Sequence, residues 1–316
     1  MTFERNLLYI VPSAVINLGG TASNIFSLYF FIHTNNGSLG TRLLMLLNTL
    51  DLCVCLTALF SFAGQYFHEI NQCWDYLSAS LNVLYGVFLE CTGFVTCLLS
   101  LCRTICMCFP FYNINKRAVA ISTVVFVLTT VLREGGARVS YYVLIAANST
   151  DILYFYMDAS SSLAVANLSL MIVIVAVSTV VSVVKLTVTS EKYNERSAEN
   201  IKKATVTVVI LSILFCIFNI FYIIITGYMI SVSFADGKNA TVYYLALWFA
   251  IPLNSACNPF VYLSRKPDMR AFAMKTMRRK ATALQRISRS NAVEMSEIAT
   301  LAIVPSPAQN KPKSAA

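Results

Sequence analysis

Apolar positions in this chain gather into long blocks set apart by short polar turns. A helix needs about 20 apolar residues to cross the hydrocarbon core of a bilayer, so a sustained run of that kind reads as a membrane span. The blocks predict seven helices, at about residues 7–32, 41–63, 76–108, 117–137, 162–189, 201–230 and 241–263. The first carries Pro12, Asn17 and Asn24 among its apolar residues, and the second follows a polar turn at Asn35, Asn36 and Gly37. Pro110 closes the third, since a helix rarely continues through the residue before a proline.

The fourth block is the shortest, with an unbroken apolar run only from 118 to 132. Extending it to 137 takes in Arg133, Glu134 and two glycines. Those charges are expected at the outer headgroup level, where an arginine can snorkel. The rival reading is a re-entrant or buried segment, which would leave six spans.

Composition agrees with a membrane class. Of 316 residues 57% are hydrophobic and 12% charged, against about a quarter charged in soluble domains. The expected fold is an all-α membrane protein, a seven-transmembrane helix bundle. Residues 1–5 carry Glu4 and Arg5 and no basic leader, so a retained first helix is expected rather than a cleaved signal peptide. Residues 281–316 are polar and mixed, and are expected to be a disordered cytoplasmic tail.

Charge sets the orientation. One set of loops carries Arg42, Lys116, Arg117, Lys192, Arg196, Lys202 and Lys203, and the stretch after the seventh block carries seven more basic residues up to Lys280. The opposite loops carry Glu69, Asp75, Arg138, Asp151, Asp158, Asp236 and Lys238. The excess of lysine and arginine marks the cytoplasmic side, so the N-terminus is expected outside and the C-terminus inside, at the plasma membrane. Asn148 begins a glycosylation sequon on the predicted outer side. The net charge of +9 does not point to nucleic acid, because eleven of the 24 basic residues follow Leu263. Those nearest the last span are placed to meet anionic lipids of the inner leaflet. The long outer loop, 139–159, sets two β-branched and aromatic runs around a polar turn. That pattern predicts a β-hairpin, with an irregular apolar lid as the alternative.

Several polar residues interrupt the blocks. Asp51 lies mid-span, and a carboxylate there must face the bundle or water. Thr92, Asn254, Ser255 and Asn258 are its candidate neighbours. Together they can either hold a hydrated cation or act only as polar glue between helices. Pro259 frees a backbone carbonyl inside its helix, so a kink or weak turn is expected there, with Asn258 re-pairing the freed group. Tyr262, one turn on, is either an interface anchor or part of a moving element. Arg103 sits at the inner end of the third block with Cys102 rather than an acid before it, and Pro110 follows between two phenylalanines. Glu90 lies thirteen residues earlier, about 20 Å further out along a helix. It is expected either to meet a ligand cation or to be held by a neighbouring helix hydroxyl.

Taken together these residues resemble the rhodopsin-like G-protein-coupled receptors, over about residues 7–280. Asn24 matches the family asparagine of the first helix. Asp51, with Thr92, Asn254 and Ser255, resembles the family's sodium and water pocket, which implies a sodium ion held by Asp51, Thr92, Asn254, Ser255 and Asn258. Arg103 and Pro110 resemble the third-helix arginine and the loop proline seven residues on. Asn258, Pro259 and Tyr262 reproduce the Asn-Pro-x-x-Tyr motif. Residues 265–280 resemble the short amphipathic eighth helix, with Met269, Phe272, Ala273 and Met277 on one side. The receptor domain would then be 1–280.

The departures are specific. The acid before the arginine is Cys102, and in the sixth block Ile217 and Asn219 stand where the family has tryptophan and proline. The fourth block lacks its tryptophan and the fifth its proline and inner tyrosine. Cys73 has no cysteine in the long outer loop to pair with, and Tyr85 occupies the place of the amine-binding aspartate. Such divergence resembles the lineage-specific peptide or chemosensory receptors of invertebrates, nematodes in particular.

The resemblance implies an extracellular peptide or small-molecule ligand entering among Tyr85, Leu89, Glu90, Ile217, Phe218, Tyr244 and Trp248. Plain core packing is the alternative for each of them. It also implies a relay through Asp51, Thr92, Arg103, Asn254, Ser255, Asn258, Pro259 and Tyr262. The inner partner would be a heterotrimeric G protein meeting Arg103, Pro110, Lys202 and Lys203, with arrestin and a receptor kinase as further partners. No cofactor other than sodium, and no enzyme activity, is expected. Asp51 and Glu90 lie in different blocks, the two histidines and ten cysteines show no zinc spacing, and no inverted repeat suggests a transporter.

Overall fold

In the computed structural model the described residues are 3–34, 37–67, 73–109, 112–146, 150–189, 195–231 and 249–276, with 278 and 282. They form α1 (Phe3–His33), α2 (Leu39–Phe67), α3 (Cys73–Cys108), α4 (Lys116–Ala146), α5 (Thr150–Thr189), α6 (Glu195–Ser231) and α7 (Ile251–Arg265). A further helix, α8, covers 267–276. The chain divides into two units, Met1–Arg265 with α1–α7 and Lys266–Ala316 with α8. No strand occurs among the described residues.

Local chemistry sets several ends. Gly37 takes the turn before α2 at φ 68°, a conformation open mainly to glycine. Ser38 Oγ then accepts the Thr41 amide at 3.2 Å and caps the helix. Asn115 caps α4 in the same way, its Oδ1 accepting the Arg117 amide at 3.0 Å.

Six helices among the described residues are long and apolar enough to cross a membrane: Val11–His33, Leu39–Ser61, Ser80–Cys108, Lys116–Ala137, Ser162–Val188 and Thr205–Ile225. The chain is a multi-span helical membrane bundle. The fourth block is one of the six, a continuous helix long enough to span, with 6% of that stretch buried. Of the seventh block, 241–248 lie outside the described residues, and α7 is fifteen residues long.

The expected hairpin is replaced by helix. Residues 139–146 continue α4 and 150–159 begin α5, with the 147–149 turn outside the described residues. Their β-branched and aromatic composition suits a strand only where a partner strand can take its backbone groups. A helix satisfies those groups within the segment, which an apolar setting demands.

α3 is the axis of the bundle. Sixty-seven per cent of its span is buried, against 6% for α4. Tyr85 and Leu89 of α3 pack with Val54, Ala58 and Ile251. Further along, Val95 and Leu99 meet Leu43 and Leu47 of α2. Cys97 meets Met171, Val175 and Phe215 of α5 and α6. Two glycines permit the closest approaches. A Cβ at Gly20 would lie 2.6 Å from Cys55 Sγ and 3.0 Å from Ala256 Cβ, so the missing atom lets α1 come close to α2 and α7 at this point. A Cβ at Gly93 would lie 2.9 Å from Met171 Sδ, so the Met171 side chain of α5 fills the space beside that glycine. In the second unit, α8 places Met269 and Ala273 on a buried side and leaves Arg270, Met274 and Lys275 exposed. Residues 277, 279 and 280 and most of the expected tail lie outside the described residues.

Candidate functional site

Three polar clusters occupy the bundle at different heights. The first joins α1, α2 and α7. Asp51 is fully buried, and Asn258 Nδ2 donates to its Oδ2 at 2.7 Å. Asn258 therefore does not re-pair the carbonyl freed by Pro259. Proline has no N–H, so the acceptor four residues back, Ser255 O, loses its helical partner. Asn24 supplies the replacement from α1, its Nδ2 donating to Ser255 O at 3.2 Å and to Gly20 O at 2.9 Å. Gly20 admits α7 closely enough for that reach. The proline thus leaves its mark as a link between helices, and α7 continues through Pro259 to Arg265.

The same helices and α3 carry buried oxygens with no partner within 3.5 Å among the described residues, namely Asp51 Oδ1, Asn24 Oδ1, Asn48 Oδ1, Thr92 Oγ1, Asn254 Oδ1 and the Tyr262 hydroxyl, with Ser255 beside Asp51 and Asn48 beside Tyr262. Leaving such a group unsatisfied costs about 1–3 kcal/mol, and a buried water or cation commonly removes the cost. The donor set is all oxygen, one of it a carboxylate, which suits a hard cation. No cluster of three histidine, cysteine or acidic residues occurs among the described residues, so the set relies on amide and hydroxyl oxygens beside Asp51. Tyr262 is completely buried and packs edge-on against Phe31, with ring centroids 5.5 Å apart. It is not an interface anchor.

The second cluster lies near the C-terminal end of α3. Arg103 donates from Nε and Nη2 to Thr205 Oγ1 at 3.0 and 2.7 Å, and the threonine hydroxyl points in turn to Met107 Sδ at 3.5 Å. Hydroxyls surround it. Ser100 Oγ meets Ser212 Oγ at 3.0 Å, and Thr104 Oγ1 lies 2.9 Å from both Ser178 O and Ser182 Oγ. A shallow crevice lined by Arg103, Thr179, Ser182 and Thr205 opens beside them. An α6 threonine holds the arginine where no acid precedes it. Pro110 and the side chains of Lys202 and Lys203 lie outside the described residues.

The third cluster pairs the charges of the fourth block. Arg133 turns to acidic partners. Its Nη2 donates to Glu90 Oε1, and to Glu134 Oε1 at 2.7 Å. Asn167 Nδ2 of α5 donates to the other Glu90 oxygen at 3.1 Å. Glu90 is thus held by an arginine and an amide from two neighbouring helices, not by a hydroxyl. A buried carboxylate takes the nearest cation, and α4 brings one within reach.

The expected ligand residues divide. Tyr85 and Leu89 are buried in the packed cluster on α2 and α7, and Phe218 is half-buried. Ile217 is 56% exposed on the outer face of α6. Phe215 and Asn219 turn inward, and a residue two positions away points about 200° round the helix. Ile217 therefore leaves the set. Tyr244, Trp248 and Asn148 lie outside the described residues. Sequence reasoning missed Asn167, Thr205 and the role of Arg133. Only Arg133 carried a signal, since a charge within an apolar block implies a partner. Compared with known family models and with curated proteins, the chain matches none at a significant level.

Proposed function

We propose that the protein is a divergent rhodopsin-like G-protein-coupled receptor of the plasma membrane. It would have seven spans, an outer N-terminus and a cytoplasmic C-terminus, with α8 as its amphipathic eighth helix. A peptide or small-molecule ligand would bind from outside and promote nucleotide exchange on a heterotrimeric G protein. The observation that carries the reading is the α1–α2–α7 link. Asn258 is bonded to the buried Asp51, while the carbonyl freed by Pro259 is held by Asn24 on α1. A proline-interrupted helix held by replaceable side-chain bonds has two arrangements close in energy, which a switch requires.

In the second arrangement α6 parts from α3 at its inner end, Thr205 releases Arg103, and Tyr262 leaves Phe31 to turn toward the arginine. The opened cleft takes the C-terminal helix of the G-protein α subunit, with Lys202 and Lys203 at its edge. A sodium ion beside Asp51, Thr92, Asn254, Ser255 and Asn258 would supply positive charge that favours the closed arrangement. Arrestin and a receptor kinase would act on the same face and tail, and basic residues after Leu263 would meet anionic lipids.

The test is nucleotide exchange on a panel of α subunits, with and without candidate ligands. Arg103→Ala is expected to lower exchange at least tenfold with surface expression kept. Exchange on no subunit under any ligand would sink the proposal. A second reading, a receptor-like protein without signalling, draws on α6. That helix has no proline among its residues, and Asn219 Nδ2 caps Phe215 O at 2.8 Å within the same helix.

A further inference from the structure

Three buried oxygens from three helices stand at one depth. Tyr85 and Leu89 of α3, Val54 and Ala58 of α2 and Ile251 of α7 form one apolar cluster, and Tyr222 of α6 packs against it. α7 runs in the same sense as α3, since both pass from Val54 and Ala58 toward lower-numbered residues of α2. α6 runs in the opposite sense, since Phe215 packs with Cys97 further along α3. Thr92 comes three residues after Leu89, Asn254 three after Ile251 and Asn219 three before Tyr222. Three residues rise about 4.5 Å, so all three lie one turn beyond the cluster and on the same side of it. Phe215, Cys97 and Met171 close the level from the other side. Thr92, Asn219 and Asn254 are 2%, 1% and 4% exposed, which shuts the level off from bulk water.

Each of the three brings an oxygen with no partner within 3.5 Å among the described residues. Asn219 commits its Nδ2 to Phe215 O at 2.8 Å, and its Oδ1 is left as an acceptor. Asn254 Oδ1 is a second acceptor, while the Thr92 hydroxyl both donates and accepts. The three therefore do not bond one another directly. Two amide oxygens and one hydroxyl match the valence of a single water, which donates to the amides and accepts from the threonine. A buried water usually makes about three hydrogen bonds. The set carries no formal charge, so it offers a cation little, whereas three buried polar groups left unmet are costly.

We infer that Thr92, Asn219 and Asn254 form a binding site for one buried water that joins α3, α6 and α7, with Asn219 as the residue that brings α6 into it. Asn219 stands where the receptor family has a proline, whose ring carries no hydrogen-bonding group, so this contact is particular to the chain. Each oxygen keeps a further lone pair, so Thr92 and Asn254 remain able to face an ion beside Asp51. The water is sealed between two apolar clusters and joins the three helices where they have no direct polar bond among the described residues. The site belongs to the bundle itself and does not depend on a ligand, a G protein or the receptor reading.

The test is thermal unfolding of the full chain in lipid nanodiscs, joined to a crystal structure at a resolution that shows ordered water. Asn219→Leu removes one acceptor of the bridge and is expected to lower the melting temperature by about 2–4 °C, the effect of losing one hydrogen bond in a chain of this size. An unmet oxygen with no water gives the opposite sign, because the substitution then relieves a buried polar group. Thr92→Val, which keeps the side-chain shape, is expected to give a similar fall and keeps the test usable if Asn219→Leu expresses poorly. The double variant is expected to fall clearly less than the two losses summed, because both act on one water. The crystal structure is expected to show density within about 3.2 Å of all three oxygens. A rise in melting temperature for Asn219→Leu, additive losses, or a direct bond from a chain donor to Asn219 Oδ1 overturns the inference. So does a loss that disappears when choline chloride replaces sodium chloride, since the ion itself would then sit on Asn219. Failure of nucleotide exchange would instead count against the receptor reading and leave the water site untouched.

Discussion

Arg133→Ala is the most informative perturbation outside the proposed relay. The arginine is the cation paired with Glu90, and the two side chains are only 18% and 8% exposed. Its loss leaves a buried carboxylate with Asn167 as its remaining donor. Removing one partner of a buried pair typically costs about 3–5 kcal/mol. The part-exposure of Arg133 and the surviving Asn167 contact place this case near 3 kcal/mol. At about 2–4 °C per kcal/mol for a chain of this size class, the melting temperature should fall by roughly 6–12 °C. A thiol-reactive fluorophore in lipid nanodiscs can follow the unfolding, because Cys55, Cys91 and Cys97 are free and buried and react only once the bundle opens. The double variant Glu90→Leu with Arg133→Met removes both charges and should recover most of the loss, since apolar replacement of a whole buried pair is often neutral or better. A melting temperature for Arg133→Ala within about 1 °C of the parent, or a double variant as unstable as the single one, would refute the assignment of Arg133 as the partner of Glu90.

Gly20→Val should abolish monodisperse expression in size-exclusion chromatography, because its Cβ would meet Cys55 Sγ at 2.6 Å, whereas Gly19→Ala, with nothing within 4 Å, should gain about 1 kcal/mol from helix propensity. Asn24→Ala leaves the Ser255 carbonyl without its α1 donor and should cost about 1–3 kcal/mol in thermal unfolding, with faster amide exchange across 255–262. Tyr262→Phe should leave stability within about 1 kcal/mol, because the hydroxyl makes no bond within 3.5 Å among the described residues and has only Asn48 beside it; reduced G-protein coupling in the same variant would assign that hydroxyl to the moving arrangement rather than to packing.

How much of this was legible differs from element to element. Six spans follow from block length, because a long apolar run in a membrane has few structures open to it besides a helix. The error at 139–159 shows the limit of composition. β-Branched and aromatic residues there suggested strands, while helix α4 ran on to Ala146. Asp51, Asn258 and Arg103 stood out because polar groups in apolar blocks are few. Asp51 and Asn258 are each other's partner, but the partners of Arg103 and Glu90 did not stand out, since Thr205 and Asn167 are unremarkable residues until the fold sets them beside a charge.

The sequence by itself determined that Pro259 must orphan a carbonyl and that Asp51 must face the bundle. These are local consequences of ring chemistry and burial. Only the tertiary structure decided which groups answer them. Asn24, 231 residues away from Ser255, takes the orphaned carbonyl and frees Asn258 for Asp51. Arg133, 43 residues from Glu90, takes the carboxylate. Hydrogen bonds and ion pairs reach only about 3 Å, so their partners are set by how closely the helices pack, and here the missing side chain at Gly20 decides whether α7 comes near enough.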